Sequence, residues 1–476
     1  MLVYRKNERR SELYGPAVQS WSCVGFMSGL DERREYRRKR RMRNQIISWC
    51  VMLVVLAAAG AGCFVGIRAA AGSIKNRQLE KEAAKQAAIE ASIAEESAQA
   101  ESAVAALLEI GVSENETAAE TESYSREDAL EEMVEESVNS MTLEQKVAGL
   151  FFVTPEQLTG VAQVVKAGEG TREALLKYPV GGLVYFKQNI QSEDQIKEML
   201  ANTVTYSTFP IFLGVDEEGG KVARVAEALS LENVGPMADI GALGDAQAAY
   251  TANETIGNYL ASYGFNVDFA PVADVLTNGD NTVIGNRAFS SDAQTTAQMV
   301  ASAVQGLQST GVSACLKHFP GHGDTAGDSH TGAAQTDRTK EQMEAEEFLP
   351  FVSGIEAGAE MVMIGHISAP ELTDGEKIPA SLSEKIITDI LRTQLGYDGI
   401  VITDAMNMAA ITDYYQADVA AITALKAGAD MVLMPEDFEV AYEGVLKAVQ
   451  DGTISEQRVT DSLKRIYRVK LKNRVE

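Results

Sequence analysis

An α/β fold built as a (β/α)8 barrel of the TIM type is what this sequence predicts, on three observations. Eight short apolar, β-rich runs alternate with stretches of helical apolar spacing over roughly 340 residues. Polar and titratable residues follow directly on those runs, where such a barrel gathers its functional groups, at the C-terminal ends of the strands. Of the 476 residues, 45% are hydrophobic and 23% charged, enough apolar surface to bury a core and to exclude a disordered chain. A doubly wound open sheet is the competing α/β architecture. The placing of the polar residues favours the barrel.

The elements follow in chain order. Residues 1–45 carry 12 Lys+Arg against 5 Asp+Glu, and the rest of the chain 30 against 63, within a net charge of −26. So acidic a body excludes nucleic acid as the partner. Ile46–Ile67 holds no charged residue and is long enough to span a bilayer core as a helix. The basic run Arg33–Arg41 precedes it, so the positive-inside rule puts the N-terminus in the cytoplasm and everything after Arg68 outside. That describes a single-pass protein of the cytoplasmic membrane with an extracellular body. A cleaved signal peptide is the alternative, but 45 residues is long for its charged front region. Residues 68–126 read as stalk and linker: 79–108 is rich in Ala, Glu, Lys and Gln, all strong helix formers, and Gly111–Ser125 turns Glu-, Thr- and Ser-rich. The four cysteines, Cys23, Cys50, Cys63 and Cys315, are too few for a disulfide framework. The globular body is expected over residues 127–476.

Within that body the expected strands are Gly149–Val153, Gly181–Phe186, Pro210–Val215, Asn266–Ala270, Ser313–His318, Glu360–Gly365, Gly399–Thr403 and Asp430–Met434. Ser192–Ala201, Asp245–Tyr263, Asp292–Thr310 and Glu384–Leu395 carry helical spacing between them. Asp216, Glu217 and Glu218 follow the third run, Asp268 and Asp274 flank Ala270-Pro271, Lys317 and His318 end the fifth, His366 follows the sixth and Asp404 the seventh. All four histidines, His318, His322, His330 and His366, belong to strand ends or the loops just after them. Histidines chosen for core packing would scatter.

The segment from Lys317 to His330, KHFPGHGDTAGDSH, resembles the signature of glycoside hydrolase family 3, in its β-N-acetylglucosaminidase branch. Asp216–Arg224 (DEEGGKVAR), Ile284–Phe289 (IGNRAF) and Ile402–Met408 (ITDAMNM) match further motifs of that family in the same order, over residues 142–476. The resemblance implies a barrel that removes terminal N-acetyl-β-D-glucosamine from cell-wall (peptidoglycan) fragments or chitin-type oligosaccharides with retention of configuration. It also implies a catalytic nucleophile at Asp404, a proton donor at His330 partnered by Asp328, and sugar-binding roles for Asp216, Arg224, Arg287, Lys317 and His318. No cofactor and no metal are implied. The expected partners are an N-acetylglucosamine-containing oligosaccharide or muropeptide and, through Ile46–Ile67, the membrane.

The residue types fit those roles on their own chemistry. Retaining glycosidases need a nucleophile and a proton donor flanking one bond, and Asp404 is a carboxylate at a strand end. Asp328 stands two residues before His330, so in extended backbone both side chains lie on one side. A carboxylate there fixes the imidazole's tautomer and stabilises the imidazolium. Histidine's ordinary pKa near 6.5 suits a group that must give and take a proton near neutrality. If His330 is not the donor, Glu217 is the next candidate. Family 3 β-glucosidases carry a second α/β domain with a glutamate acid. This sequence ends at Glu476, soon after the amphipathic stretch Gln457–Leu471, which favours the histidine-donor branch. The competing readings are another family 3 β-glycosidase, an N-acetylglucosaminide phosphorylase, a metal-dependent barrel hydrolase using His318, His322, Asp324, Asp328 and His330, and a non-catalytic wall-binding protein. Glu217 and Lys221 stand where relatives often have glutamine and arginine, which leaves preference beyond the terminal sugar open.

Overall fold

The structure, a computed structural model, describes residues 125–325 and 334–473. The segment read as membrane-spanning (46–67), the stalk, and both Asp328 and His330 lie outside the described residues. Among the described residues no helix is long and apolar enough to cross a membrane.

Eight strands form the centre: β1 (Phe151–Val153), β2 (Gly182–Tyr185), β3 (Phe212–Val215), β4 (Val267–Asp268), β5 (Ser313–Phe319), β6 (Met361–Ile364), β7 (Ile400–Thr403) and β8 (Val432–Leu433). Each runs parallel to its neighbour, and their order in the sheet is their order in the chain, with β8 returning beside β1. One parallel bridge, Ile402 to Met431, joins β7 to the start of β8 and nearly closes the ring. The architecture is α/β with a barrel-like sheet, consistent with the TIM type. Seven strands fall inside the expected apolar runs, and β5 runs one residue further, to Phe319. A parallel sheet covered on both faces needs apolar residues at every position rather than at alternate ones, and every residue of the eight strands is buried.

The main surrounding helices are α1 (Arg126–Asn139), α2 (Glu193–Tyr206), α3 (Ala246–Tyr263), α4 (Ala293–Gln308), α5 (Phe348–Glu356), α6 (Ala417–Ala427), α7 (Phe438–Gln450) and α8 (Glu456–Leu471), with a wider, π-type turn over Lys385–Gln394. Their starts are chemically marked. Asp292, for example, accepts the Thr295 N–H at 2.8 Å to cap α4, satisfying a donor that has no partner inside the helix. Ser125 and Arg126, assigned to the linker by sequence, belong to the fold. Ser125 caps α1 in a reciprocal pair with Asp128, and the Arg126 guanidinium donates to the Lys472 carbonyl at 3.3 Å.

The two ends of the barrel are built differently. At the N-terminal end, buried Asp430 accepts the Val401 N–H at 2.9 Å and the Ser462 hydroxyl at 2.7 Å, and pairs with Arg465 at 3.3 Å and with Arg392. That one carboxylate ties β7 and α8 to the start of β8. Nearer the other end, the Phe152 ring lies edge-on to Phe269 at 5.2 Å. Gly182 and Gly214 leave it room: a Cβ on either would come within 2.7 Å of the ring. Phe269 forms part of the wall of the cavity above, so the ring these glycines make room for supports that wall from below.

Candidate active site

A cavity of about 410 Å³ opens at the C-terminal end of the strands, walled by residues from β2 through β8 and the loops after them. Asp216, Arg224, Arg287, Lys317, His318 and Asp404 all line it, together with Glu218. Six of the eight residues expected from sequence are therefore brought to one place from the ends of four strands or the loops that follow them. A second cavity of the same volume lies at the other end of the barrel, beside Phe212, Asn266, Ser313 and Lys470, with no carboxylate among its described lining residues. The chemistry marks the first.

The wall of that cavity is a network of charges. The Lys317 ammonium, 2% exposed, donates to Asp216 Oδ1 at 2.7 Å and pairs with Glu218 Oε1 at 2.6 Å. Arg287 donates to both oxygens of Glu218, from Nε at 2.7 Å and Nη2 at 2.8 Å. Burial alone would push the Glu218 carboxyl up; the Lys317 and Arg287 charges outweigh it and hold that group well below the usual carboxylate range. Burial likewise works against the Lys317 ammonium, but Asp216 and Glu218 keep it charged above the ordinary lysine range. Two cations and two carboxylates thus balance inside the wall. Gly219 and Gly220, both with positive φ, turn the chain back after Glu218, and a Cβ on Gly219 would meet the Gly235 carbonyl at 2.8 Å. That turn returns Arg224 beside Asp216, its N–H 3.4 Å from the Asp216 carbonyl. The Arg224 Nε is buried with no hydrogen-bond partner, so an unused donor stands in the cavity wall.

Asp404 follows β7 directly. Its N–H donates to the Ile364 carbonyl at 2.9 Å, and its Oδ1 accepts the Ala405 N–H at 2.7 Å. His366 steadies the next residue: its Nε2 lies 2.9 Å from the Ala405 carbonyl, and its Nδ1 lies 2.8 Å from the Ser381 hydroxyl. His318 is held by Asp274, 2.7 Å from its Nδ1. His322 lies further out, its Nδ1 2.7 Å from the Thr325 hydroxyl. The histidine clustering seen in sequence therefore resolves into one cavity-lining ring, His318, and two rings, His322 and His366, outside the cavity wall. His330 is not among the described residues, and neither is Asp328. Among the described residues, no group of three or more His, Cys, Asp or Glu side chains is arranged to hold a metal ion.

The structure corrects the fallback role given to Glu217. Its side chain is fully buried and turned away from the cavity, where it accepts the N–H groups of Val225 at 2.6 Å and Ala226 at 2.9 Å and the Tyr259 hydroxyl at 2.8 Å. It caps the short helix Arg224–Leu229 and is not among the residues that line the cavity. Sequence reading missed the parts played by Glu218 and Asp274. Both stood in segments already singled out, but neighbours far along the chain decide what each does: Arg287 and Lys317 for Glu218, His318 and His322 for Asp274.

Residues 142–469 match the glycosyl hydrolase family 3 N-terminal domain. The chain is 35% identical over 328 residues to beta-hexosaminidase A of Pseudoalteromonas piscicida, covering 63% of this chain and 54% of that protein. It is 38% identical over 282 residues to a beta-hexosaminidase of Stenotrophomonas maltophilia, covering 58% of this chain and 82% of the relative. Among solved structures, a glycoside hydrolase family 3 beta-N-acetylglucosaminidase from Paenibacillus sp. is similar with a TM-score of 0.65 and 36% identity, over 71% of this chain and 63% of that one. The chain thus spans about half of the first relative's length.

Proposed function

We propose, from the premise that the chain belongs to glycosyl hydrolase family 3, that it is a retaining exo-β-N-acetylglucosaminidase. Its substrates would be cell-wall (peptidoglycan) fragments or chitin-type oligosaccharides with N-acetyl-β-D-glucosamine at the non-reducing end. The observation that carries this reading is Asp404 sharing one cavity with the Asp216–Lys317–Glu218–Arg287 network and His318. In this account the Asp404 carboxylate attacks the anomeric carbon while His330, oriented by Asp328, protonates the departing glycosidic oxygen. The sugar is then held as an ester on Asp404. Water, deprotonated by the same imidazole, attacks the anomeric carbon and releases the sugar with its original configuration. Asp216, Arg224, Arg287, Lys317 and His318 bind the sugar's hydroxyl and acetamido groups. The relatives named hexosaminidase and N-acetylglucosaminidase support the choice of sugar.

The test is release of nitrophenol from nitrophenyl N-acetyl-β-D-glucosaminide against the β-glucoside, with and without phosphate. A preference for the N-acetylated sugar that does not depend on phosphate is the expected result. Preference for the glucoside would overturn the choice of sugar, and release of N-acetylglucosamine 1-phosphate would replace hydrolysis by phosphorolysis. The same account places the barrel outside the cytoplasmic membrane, anchored by Ile46–Ile67, supported by the uncharged run behind a basic block. Protease added to intact cells should then release an active fragment, whereas cleavage only after lysis would refute that placement.

A further inference from the structure

We infer that Asp274 is a positioning residue that locks His318 as the Nδ1–H tautomer, so that its Nε2 presents a lone pair to a sugar hydroxyl. This rests on the reading of the cavity as a sugar site. Asp274 follows β4, and its side chain is wholly buried. One oxygen lies 2.7 Å from His318 Nδ1. The other accepts two backbone N–H groups, from His318 at 3.2 Å and from His322 at 2.6 Å. A carboxylate oxygen can only accept, and with Oδ1 already taking two N–H groups, Oδ2 asks for a donor at Nδ1. The opposite nitrogen meets the reverse demand. His318 Nε2 lies 3.5 Å from Arg287 Nη2, and a guanidinium can only donate. Two independent neighbours therefore select one tautomer.

The ring has little freedom to choose otherwise. His318 is 6% exposed, its ring stands edge-on to His322 at 5.9 Å, and a Cβ on Gly365 would sit 3.1 Å from its own Cβ. The contact to Arg287 is long for a hydrogen bond, so the Nε2 lone pair still seeks a closer donor in the cavity. A hydroxyl supplies one; a hydrogen or fluorine in its place does not. Asp274 thus sets a demand for O–H at one ring position without touching the sugar. It also fixes the backbone of His322, the start of the segment leading to Thr325. His366 gives an internal contrast, because its Nε2 faces the Ala405 carbonyl and must carry the proton.

Two measurements on the full chain test this. Long-range proton–nitrogen spectra of histidine-labelled protein, with the ring signals assigned by His318→Gln, should show His318 protonated at Nδ1 and bare at Nε2, and His366 the reverse. In Asp274→Asn the His318 pattern should change. Kinetically, one of the 3-, 4- and 6-deoxy nitrophenyl glucosaminides should lose about 10- to 100-fold in kcat/KM, as expected when a built acceptor loses its donor. Asp274→Asn and Asp274→Ala should lower kcat/KM for the full sugar and shrink that same deoxy penalty to less than about threefold, which a merely structural role would not do. A wild-type His318 protonated at Nε2 overturns the inference even if neither variant folds. So does a deoxy penalty that persists unchanged in a folded variant. Failure of wild-type protein to cleave any of these sugars would instead count against the proposed function, leaving the spectra to decide the tautomer.

Discussion

At the residue scale, neighbouring carboxylates on one strand end have opposite duties. Glu217 satisfies the start of a short helix and a buried tyrosine, while Glu218 balances Lys317 and Arg287 in the cavity wall. Removing the charge from each should separate the two. Glu218→Gln leaves two cations against Asp216 alone, an excess of positive charge facing a reaction whose transition state is itself oxocarbenium-like. Its kcat/KM should fall at least about 100-fold, on the scale of losing a buried charge partner. Glu217→Gln keeps an acceptor in place; it should cost about 1–2 kcal/mol in thermal unfolding with kcat changed less than about threefold. Equal kinetic damage from both would contradict this division. The candidate nucleophile and the other expected residues that line the cavity were legible in sequence because they sit inside contiguous motifs. Glu218 and Asp274 were not, because a buried carboxylate's role is set by the cations and N–H groups that folding brings to it.

At the scale of elements, the eight strands were legible because each is a continuous apolar run, and only their ends were misjudged, by one or two residues. The short pairings were not legible. Ala334–Gln335 beside Ile367–Ser368, and the hairpin Glu217–Gly219 with Val222–Ala223, are too brief to imprint a period of two. Gly182 in β2 carries a testable consequence. Its Cβ would lie 2.6 Å from the Phe152 ring, so Gly182→Ala should destabilise by about 1–3 kcal/mol through overpacking. Adding Phe152→Leu should recover part of that loss, a non-additivity expected of touching residues; simple addition of the two costs would show that the ring is not confined there. At the start of α5, burial pushes Glu347 up to about 7 despite Arg338 at 2.9 Å. A carboxyl raised in the folded state contributes its stability below its unfolded pKa and loses it as pH rises through the folded value. Between pH 4.5 and 8 the wild type should therefore lose on the order of 3 kcal/mol relative to Glu347→Gln in denaturant unfolding. A flat difference would mean that Arg338 holds Glu347 ionised throughout.

At the scale of the whole molecule, the barrel gathers at one end groups that the chain scatters from Asp216 to Asp404, and ties strands and helix together around Asp430 at the other. Sequence alone anticipated the gathering, because polar residues follow the apolar runs, but not the part of Asp430, which it read as the start of the last run. The charge balance of the cavity wall depends on ion pairs between residues far apart in the chain, which only the folded barrel brings together. The central claim is that this assembly performs a double displacement through Asp404. Treatment with a 5-fluoro N-acetylglucosaminyl fluoride, followed by digestion and mass spectrometry, tests it most directly. The account predicts a single sugar adduct on the peptide containing Ile402–Met408, with fragmentation placing it on Asp404. An adduct on any other carboxylate, or a product released with inverted configuration and no adduct, would contradict it.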